Sequence, residues 1–243
     1  MQTTEGSLLG GRLRYAQPAA GFRSGIEPVL LAAVIPARPG ERVLEAGSGA
    51  GAALLCLAAR VPGIAGLGVE IDPALAALAN INARANGLSS VEFVAGDITS
   101  ETHFGQFDHA CANPPYHPPS GTPSPLPKRA SAKIAQPGLL PAWIAALAGA
   151  LRPRGTLSLV LPVIMVPACL EALAAAGCGS PYLLPLWPRA GRAAKLALLQ
   201  AARGGRGPFR LLPGLVLHDD TGFTPDADEV LRHASGLNVR TPA

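Results

Sequence analysis

The chain has 243 residues, 49% of them apolar, and carries 20 Lys and Arg against 16 Asp and Glu for a net charge of +4. That apolar content sustains a packed core without cross-links and excludes a disordered polyelectrolyte. Cys56, Cys111, Cys169 and Cys178 form no CxxC pair and stand beside no histidine ladder, which predicts buried reduced thiols and neither a metal site nor a disulfide framework.

The opening stretch MQTTEGSLLGGRLR has no basic start followed by a long apolar run; it predicts no secretory signal and a cytoplasmic location. Beyond it, short apolar runs alternate with alanine- and leucine-rich helical patterns. RVLEAGSG precedes GAALLCLAARV, GLGVEID precedes PALAALANINARANG, and VEFVAGDI and FDHACANPPY follow. LLPAWIAALAGALRP, GTLSLVLP and VPACLEALAAAG continue the alternation. This order predicts an α/β, doubly wound, mostly parallel sheet with both faces covered by helices. Asp72 and Pro73 fit an N-cap with proline at the first helical position, and Gly87 and Gly177 fit helix C-termini. The most membrane-like stretch, Leu157 to Gly177, is broken by Pro162 and Pro167 and carries Glu171. A span needs roughly 20 uninterrupted apolar residues, so this stretch predicts a buried strand followed by a helix, and no membrane partner. From about Trp187 onward, KLALLQAAR and FRLLPGLVLH predict two antiparallel strands added at the sheet edge.

Charge is unevenly spread. Residues 1–119 hold seven Lys and Arg against ten Asp and Glu, or −3; residues 120–243 hold thirteen against six, or +7. The basic half points to a polyanionic partner.

Three strand ends and a turn carry the candidate chemistry. VLEAGSGAG runs from a strand through Glu45, Gly47, Gly49 and Gly51 into a helix; glycines there let the backbone turn tightly and approach a nucleotide, with a helix N-terminus behind. Gly47, Gly49 and Ala52 also satisfy the dinucleotide pattern GxGxx(G/A), so a nicotinamide dehydrogenase stays open at this point. Glu70, 19 residues after Gly51, closes the next strand where a carboxylate accepts from both ribose hydroxyls. Asp97 ends a further strand, placed to receive an adenine amino group, with the same residues also able to cap the helices that follow. Ile71 and Ile98 follow these two acids directly.

ANPPYH, residues 112–117, ends the fourth strand. An amino group on an sp² carbon is a poor nucleophile because its lone pair is delocalised. Two acceptors gripping its N–H bonds, the Asn113 side-chain oxygen and the Pro114 carbonyl, would hold it pyramidal and in line with a methyl donor. Pro114 and Pro115 fix the turn, and Tyr116 offers a ring on which a planar substrate stacks. The stretch Pro114 to Pro127 has seven prolines in fourteen residues and predicts a loop.

GFRSGIEPVLLAA, VLEAGSGAGAALLCLA, GVEID, GDI, ANPPYH, LRPRGTLSLVLP and GFTPDADEVLR together resemble the bacterial tRNA1(Val) (adenine-37-N6)-methyltransferase family, from about Gly21 to Arg232. The resemblance implies a Rossmann-like S-adenosylmethionine-dependent methyltransferase fold with antiparallel edge strands, made of an N-terminal segment, 1–40, covering the cofactor site and a methyltransferase domain, 41–243. It implies that Arg23, Glu45, Gly47, Gly49, Gly51, Glu70, Ile71, Asp97, Ile98 and Asn113 bind S-adenosylmethionine, and that Asn113, Pro114, Pro115 and Tyr116 hold the target, an adenine amino group in tRNA or another RNA. The expected oligomeric state is a monomer or weak homodimer. NPPY is shared with glutamine N5-methyltransferases of release factors, which keeps a protein glutamine as the alternative target; those enzymes carry a helical domain before the first strand, longer than the segment preceding Val43. Glu27 stands where relatives have aspartate, Gln136 where they have glutamate, and His117 where an aromatic is common. Lys128, Arg129, Lys133, Arg189, Arg192, Lys195, Arg203 and Arg206 are candidates for phosphate contacts.

Overall fold

The computed structural model describes residues 1–20, 24–100, 104–114, 138–237 and 239. Its first elements are an antiparallel hairpin, β1 (Thr3–Leu8) and β2 (Leu13–Pro18), joined through Leu9 to Gly11 in the left-handed region, and a short buried helix, α1 (Glu27–Val34). The alternation read from the sequence follows as β3 (Arg42–Ala46), α2 (Ala52–Arg60), β4 (Ala65–Glu70), α3 (Pro73–Ala85), β5 (Val91–Ala95), β6 (Phe107–Ala112), α4 (Leu139–Ala150), β7 (Leu151–Pro162) and α5 (Val166–Ala175). β8 (Cys178–Arg189), β9 (Leu196–Arg203), β10 (Arg210–Leu211), β11 (Leu215–His218) and α6 (Pro225–His233) complete the described chain.

The large sheet runs β10-β8-β9-β7-β6-β3-β4-β5, with β11 also on β8. β7, β6, β3, β4 and β5 pair in parallel. The chain reverses its direction of travel across the sheet at β3, which makes a crevice at the carboxyl ends of β3 and β6. One face packs α1, α2 and α6 around Leu30, Leu54, Leu198 and Leu231; the other packs α4 and α5 around Leu44, Ile144, Leu157 and Cys169. All four cysteines are buried and free.

Local signals hold where they are backbone-encoded. The Asp72 side chain accepts from the Ala74 amide at 2.8 Å with Pro73 in the first turn, and Gly87 and Gly177 follow their helices with positive φ. Leu157 to Gly177 is a strand and a helix, and among the described residues no helix is long and apolar enough to cross a membrane.

The tail is arranged differently from the expected edge pair. KLALLQAAR forms β9, which is antiparallel to both neighbours but sits between β7 and β8, inside the sheet. FRLLPGLVLH divides into β10 and β11, and both run parallel to β8. The strand between, β8, contains Gly179, Pro181, Pro185 and Pro188, residues that argue against a strand in sequence. It tolerates them because a bulge between Gly179 and Tyr182 interrupts one ladder, and its other side is paired only by two short segments.

Candidate active site

Ala112 pairs with Ala46, Ala46 with Val69, and Val69 with Val94, so the carboxyl ends of β6, β3, β4 and β5 form one row. Neighbouring strands lie about 4.8 Å apart, which sets Asn113, the glycine loop, Glu70 and the turn at Asp97 side by side along an edge of about 15 Å. The sheet thus gathers residues separated by up to 66 positions into one line, in the order amide, loop, acid, acid.

The loop is built from internal bonds. Gly47 and Ser48 donate their amides to the Val69 carbonyl at 2.8 and 3.3 Å, Gly49 donates to Glu70 Oε2 at 2.7 Å, and Gly51 donates to the Ser48 carbonyl at 2.8 Å. Gly47, Gly49 and Gly51 all have positive φ, which favours glycine there. A pyrophosphate needs outward-pointing amides; these four point into the protein, which weighs against the dinucleotide reading of the same glycines.

Glu70, 7% exposed, uses its other oxygen to accept the Asp72 amide at 3.0 Å. Both oxygens are thereby fixed, each with a lone pair left for a hydroxyl donor. Ile71 beside it is half exposed, an apolar surface for a flat ring. Asp97 Oδ1 accepts from the Thr99 amide at 2.9 Å and its hydroxyl at 2.7 Å, closing a turn, and Ile98 is buried in the apolar cluster under α4. Open space lies over Gly49, where an added Cβ would meet nothing within 4 Å. A bare glycine shelf, a fixed carboxylate and an exposed isoleucine fit an adenosine-bearing cofactor.

Glu45 is 3% exposed and accepts from the Leu54 amide at 3.2 Å, capping the first turn of α2 from the preceding strand. Burial, relieved in part by that bond and reinforced by the charge of Glu70, pushes its carboxyl up to about 8. Asn113 is half-buried and Pro114 buried. Arg23, Pro115, Tyr116, His117, Lys128, Arg129, Lys133 and Gln136 lie outside the described residues.

The basic candidates separate into two groups. Arg189, Arg192 and Lys195 occupy the turn from β8 to β9, on the same edge of the sheet as Asn113, and are exposed. Arg189 also bonds the Asp219 carbonyl at 2.7 Å and Asp220 Oδ1 at 3.1 Å. Arg203 and Arg206 lie at the opposite edge, beyond the far end of β9, and Arg203 donates to the Ala148 carbonyl at the end of α4. Strand direction, invisible in composition, sets these two away from Asn113.

Two neighbours of the site carry no motif. Asn82 of α3, 2% exposed, accepts the Ala16 amide at 2.9 Å and donates to the Ala16 carbonyl at 2.9 Å and the Ala50 carbonyl at 3.0 Å. It ties β2 to the glycine loop. Trp143 of α4 rests against Gly47. A polar residue at a helical position facing the core is a signal for Asn82; Trp143 is hidden in an apolar run.

A family model for the methyltransferase small domain matches residues 27–162, more than half of the chain. The chain belongs to the methyltransferase small domain family. A release factor glutamine methyltransferase of Rhodospirillum rubrum is 44% identical over 80 residues, covering 32% of this chain and 24% of the relative, so the chain spans about a quarter of that protein's length. A tRNA1(Val) (adenine(37)-N6)-methyltransferase of Dickeya chrysanthemi is 27% identical over 213 residues, 84% of each chain. Among solved structures, a predicted O-methyltransferase of Agrobacterium tumefaciens superposes with a TM-score of 0.74 at 24% identity, covering 88% of this chain and 100% of the other. That likeness is one of fold; the family match ends with β7, and α5, β8 to β11 and α6 lie beyond it.

Proposed function

We propose that the protein transfers the methyl group of S-adenosylmethionine to the N6 amino group of an adenine in tRNA. The observation that carries the transfer is the adjacency of Asn113 to the glycine loop: Ala112 and Ala46 are paired, so the acceptor turn and the cofactor loop begin on neighbouring strands. When bound, the cofactor would supply the methyl group, the C–S bond giving way to a new C–N bond and leaving a neutral thioether and a proton lost from nitrogen.

The chain's own residues do the rest. Glu70 would accept the ribose hydroxyls, Ile71, Ile98 and the Asp97 turn would hold the adenine of the cofactor, and Glu45 with Gly47, Gly49 and Gly51 would receive its ammonium end. The N-terminal segment, 1–40, would cover this site. The Asn113 oxygen and the Pro114 carbonyl grip the target N–H bonds, Pro115 stiffens the turn and Tyr116 stacks on the base. Transfer needs no metal in this scheme, and among the described residues no cluster suits one. The RNA target is supported by the length of the resemblance to the tRNA1(Val) enzymes and by the +7 second half. The protein acts in the cytoplasm, as a monomer or weak homodimer.

Purified protein is incubated with methyl-labelled S-adenosylmethionine and, separately, unmodified tRNA or a release factor, and the product is digested. Label in N6-methyladenosine is the expected result; label in glutamine overturns the RNA target while leaving the turn's chemistry in place. Asn113→Ala is expected to lower turnover at least a hundredfold with cofactor affinity within about threefold, read by calorimetry.

A further inference from the structure

Trp143 lies in the second turn of α4 and is half-buried against the apolar cluster beneath that helix. A Cβ added at Gly47 would stand 2.6 Å from the indole Cη2 and 3.1 Å from Cζ3. The far edge of the six-membered ring therefore points at bare backbone, and the first glycine of the loop is small for the sake of the indole as well as the cofactor. Gly47 directly follows Ala46 and Asn113 directly follows Ala112, its partner across the ladder. The indole consequently stands beside the seam between the loop and the acceptor turn, two backbones about 4.8 Å apart.

Methyl transfer demands reacting atoms about 3–3.5 Å apart and aligned. If Asn113 holds the amino nitrogen, the positively charged sulfur is bound at this same seam. A sulfonium has no hydrogen to donate, so a side chain can hold it only by charge or by an electron-rich face. The two acids nearest in the row serve other parts of the cofactor in this scheme, Glu70 its ribose and Glu45 its ammonium end, and both are buried. An indole offers the best of the aromatic faces for a ligand cation, and with its edge against Gly47 the faces of the Trp143 ring flank that loop.

We propose that Trp143 is a cofactor-binding residue whose ring contacts the sulfonium of S-adenosylmethionine, so that the site holds the charged donor more tightly than its neutral thioether product. The consequence for turnover is product release, since the attraction disappears as the methyl leaves. The inference rests on S-adenosylmethionine being the cofactor, and the experiment separates the two. Dissociation constants for S-adenosylmethionine and S-adenosylhomocysteine are measured by calorimetry on wild type, Trp143→Phe and Trp143→Leu. Trp143→Leu is expected to weaken S-adenosylmethionine about tenfold and S-adenosylhomocysteine less than twofold, with Trp143→Phe between. An equal loss for both ligands, or none, overturns the proposal; a wild type that binds neither overturns the cofactor reading instead. Should the leucine variant fail to fold, Trp187→Phe leaves Trp143 as the sole tryptophan, since the chain has two. Its emission is then expected to change more with S-adenosylmethionine than with S-adenosylhomocysteine, and an emission unmoved while calorimetry records binding overturns the proposal.

Discussion

Glu45 shows how one side chain links stability to the site. Its carboxyl is enclosed, and burial raises it from 4.5 to about 8. The unfolded chain therefore ionises this group first, and stability present below about pH 4.5 is lost as pH rises through 8. Denaturant unfolding of the cofactor-free protein across that window is expected to show this decline, and Glu45→Gln to flatten it. The bound cofactor's ammonium group would favour the ionised form, so calorimetry in buffers of different ionisation enthalpy should detect protons released on binding near pH 7. Gly68 on β4 presents a steric case of the same closeness. An added Cβ would fall 2.3 Å from the Phe93 ring and 2.9 Å from Ser48 Oγ, a buried hydroxyl with no hydrogen-bond partner. Gly68→Ala is expected to destabilise the protein by about 1–3 kcal/mol in a urea titration.

At the scale of elements, the N-terminal hairpin is held as though α3 were a strand. Asn82 and Asn86, four residues apart and so on one face of the helix, present their amides to β2: Asn86 accepts the Arg14 amide at 2.9 Å and donates to the Arg14 carbonyl at 2.8 Å, and Asn82 does the same at Ala16. Tyr15 between them is buried, bonded to Ser24 at 2.9 Å, and pushed up to about 12, chiefly by burial. Asn82 also reaches the Ala50 carbonyl, so hairpin and loop share one side chain. Asn82→Leu strands several buried polar groups and is expected to cost about 2–4 kcal/mol. Hydrogen exchange at the Ala16 amide should accelerate more than at Arg14. The C-terminal helix closes the other side of the hairpin: α6 is capped by Thr224, and its Arg232 backbone leaves room only for glycine at position 10, where a Cβ would stand 2.9 Å from the Arg232 carbonyl.

Across the whole molecule, the sheet sorts charge by strand direction. Arg189, Arg192 and Lys195 share the edge that carries Asn113; Arg203 and Arg206 do not. Replacing the first three by glutamine is expected to lower tRNA affinity and to reduce the slope of log affinity against log salt by about 2. Replacing the other two should leave that slope unchanged, as measured by filter binding across a salt series.

The glycines in the left-handed region at Gly47, Gly49 and Gly51 and the N-cap at Asp72 were legible in the sequence because each is a local backbone requirement. The alternation that predicts parallel βαβ units is local too, recurring within tens of residues, and it carried the core from β3 to α5. β8 was hidden because its prolines oppose a strand until a bulge on one side and short partners on the other relieve them. The hairpin's role, the indole at Gly47 and the side of the sheet that receives each arginine depend on which distant segments meet. Such meetings are set by pairing order and packing, which follow from the free energy of the whole fold, and only the tertiary structure decides them.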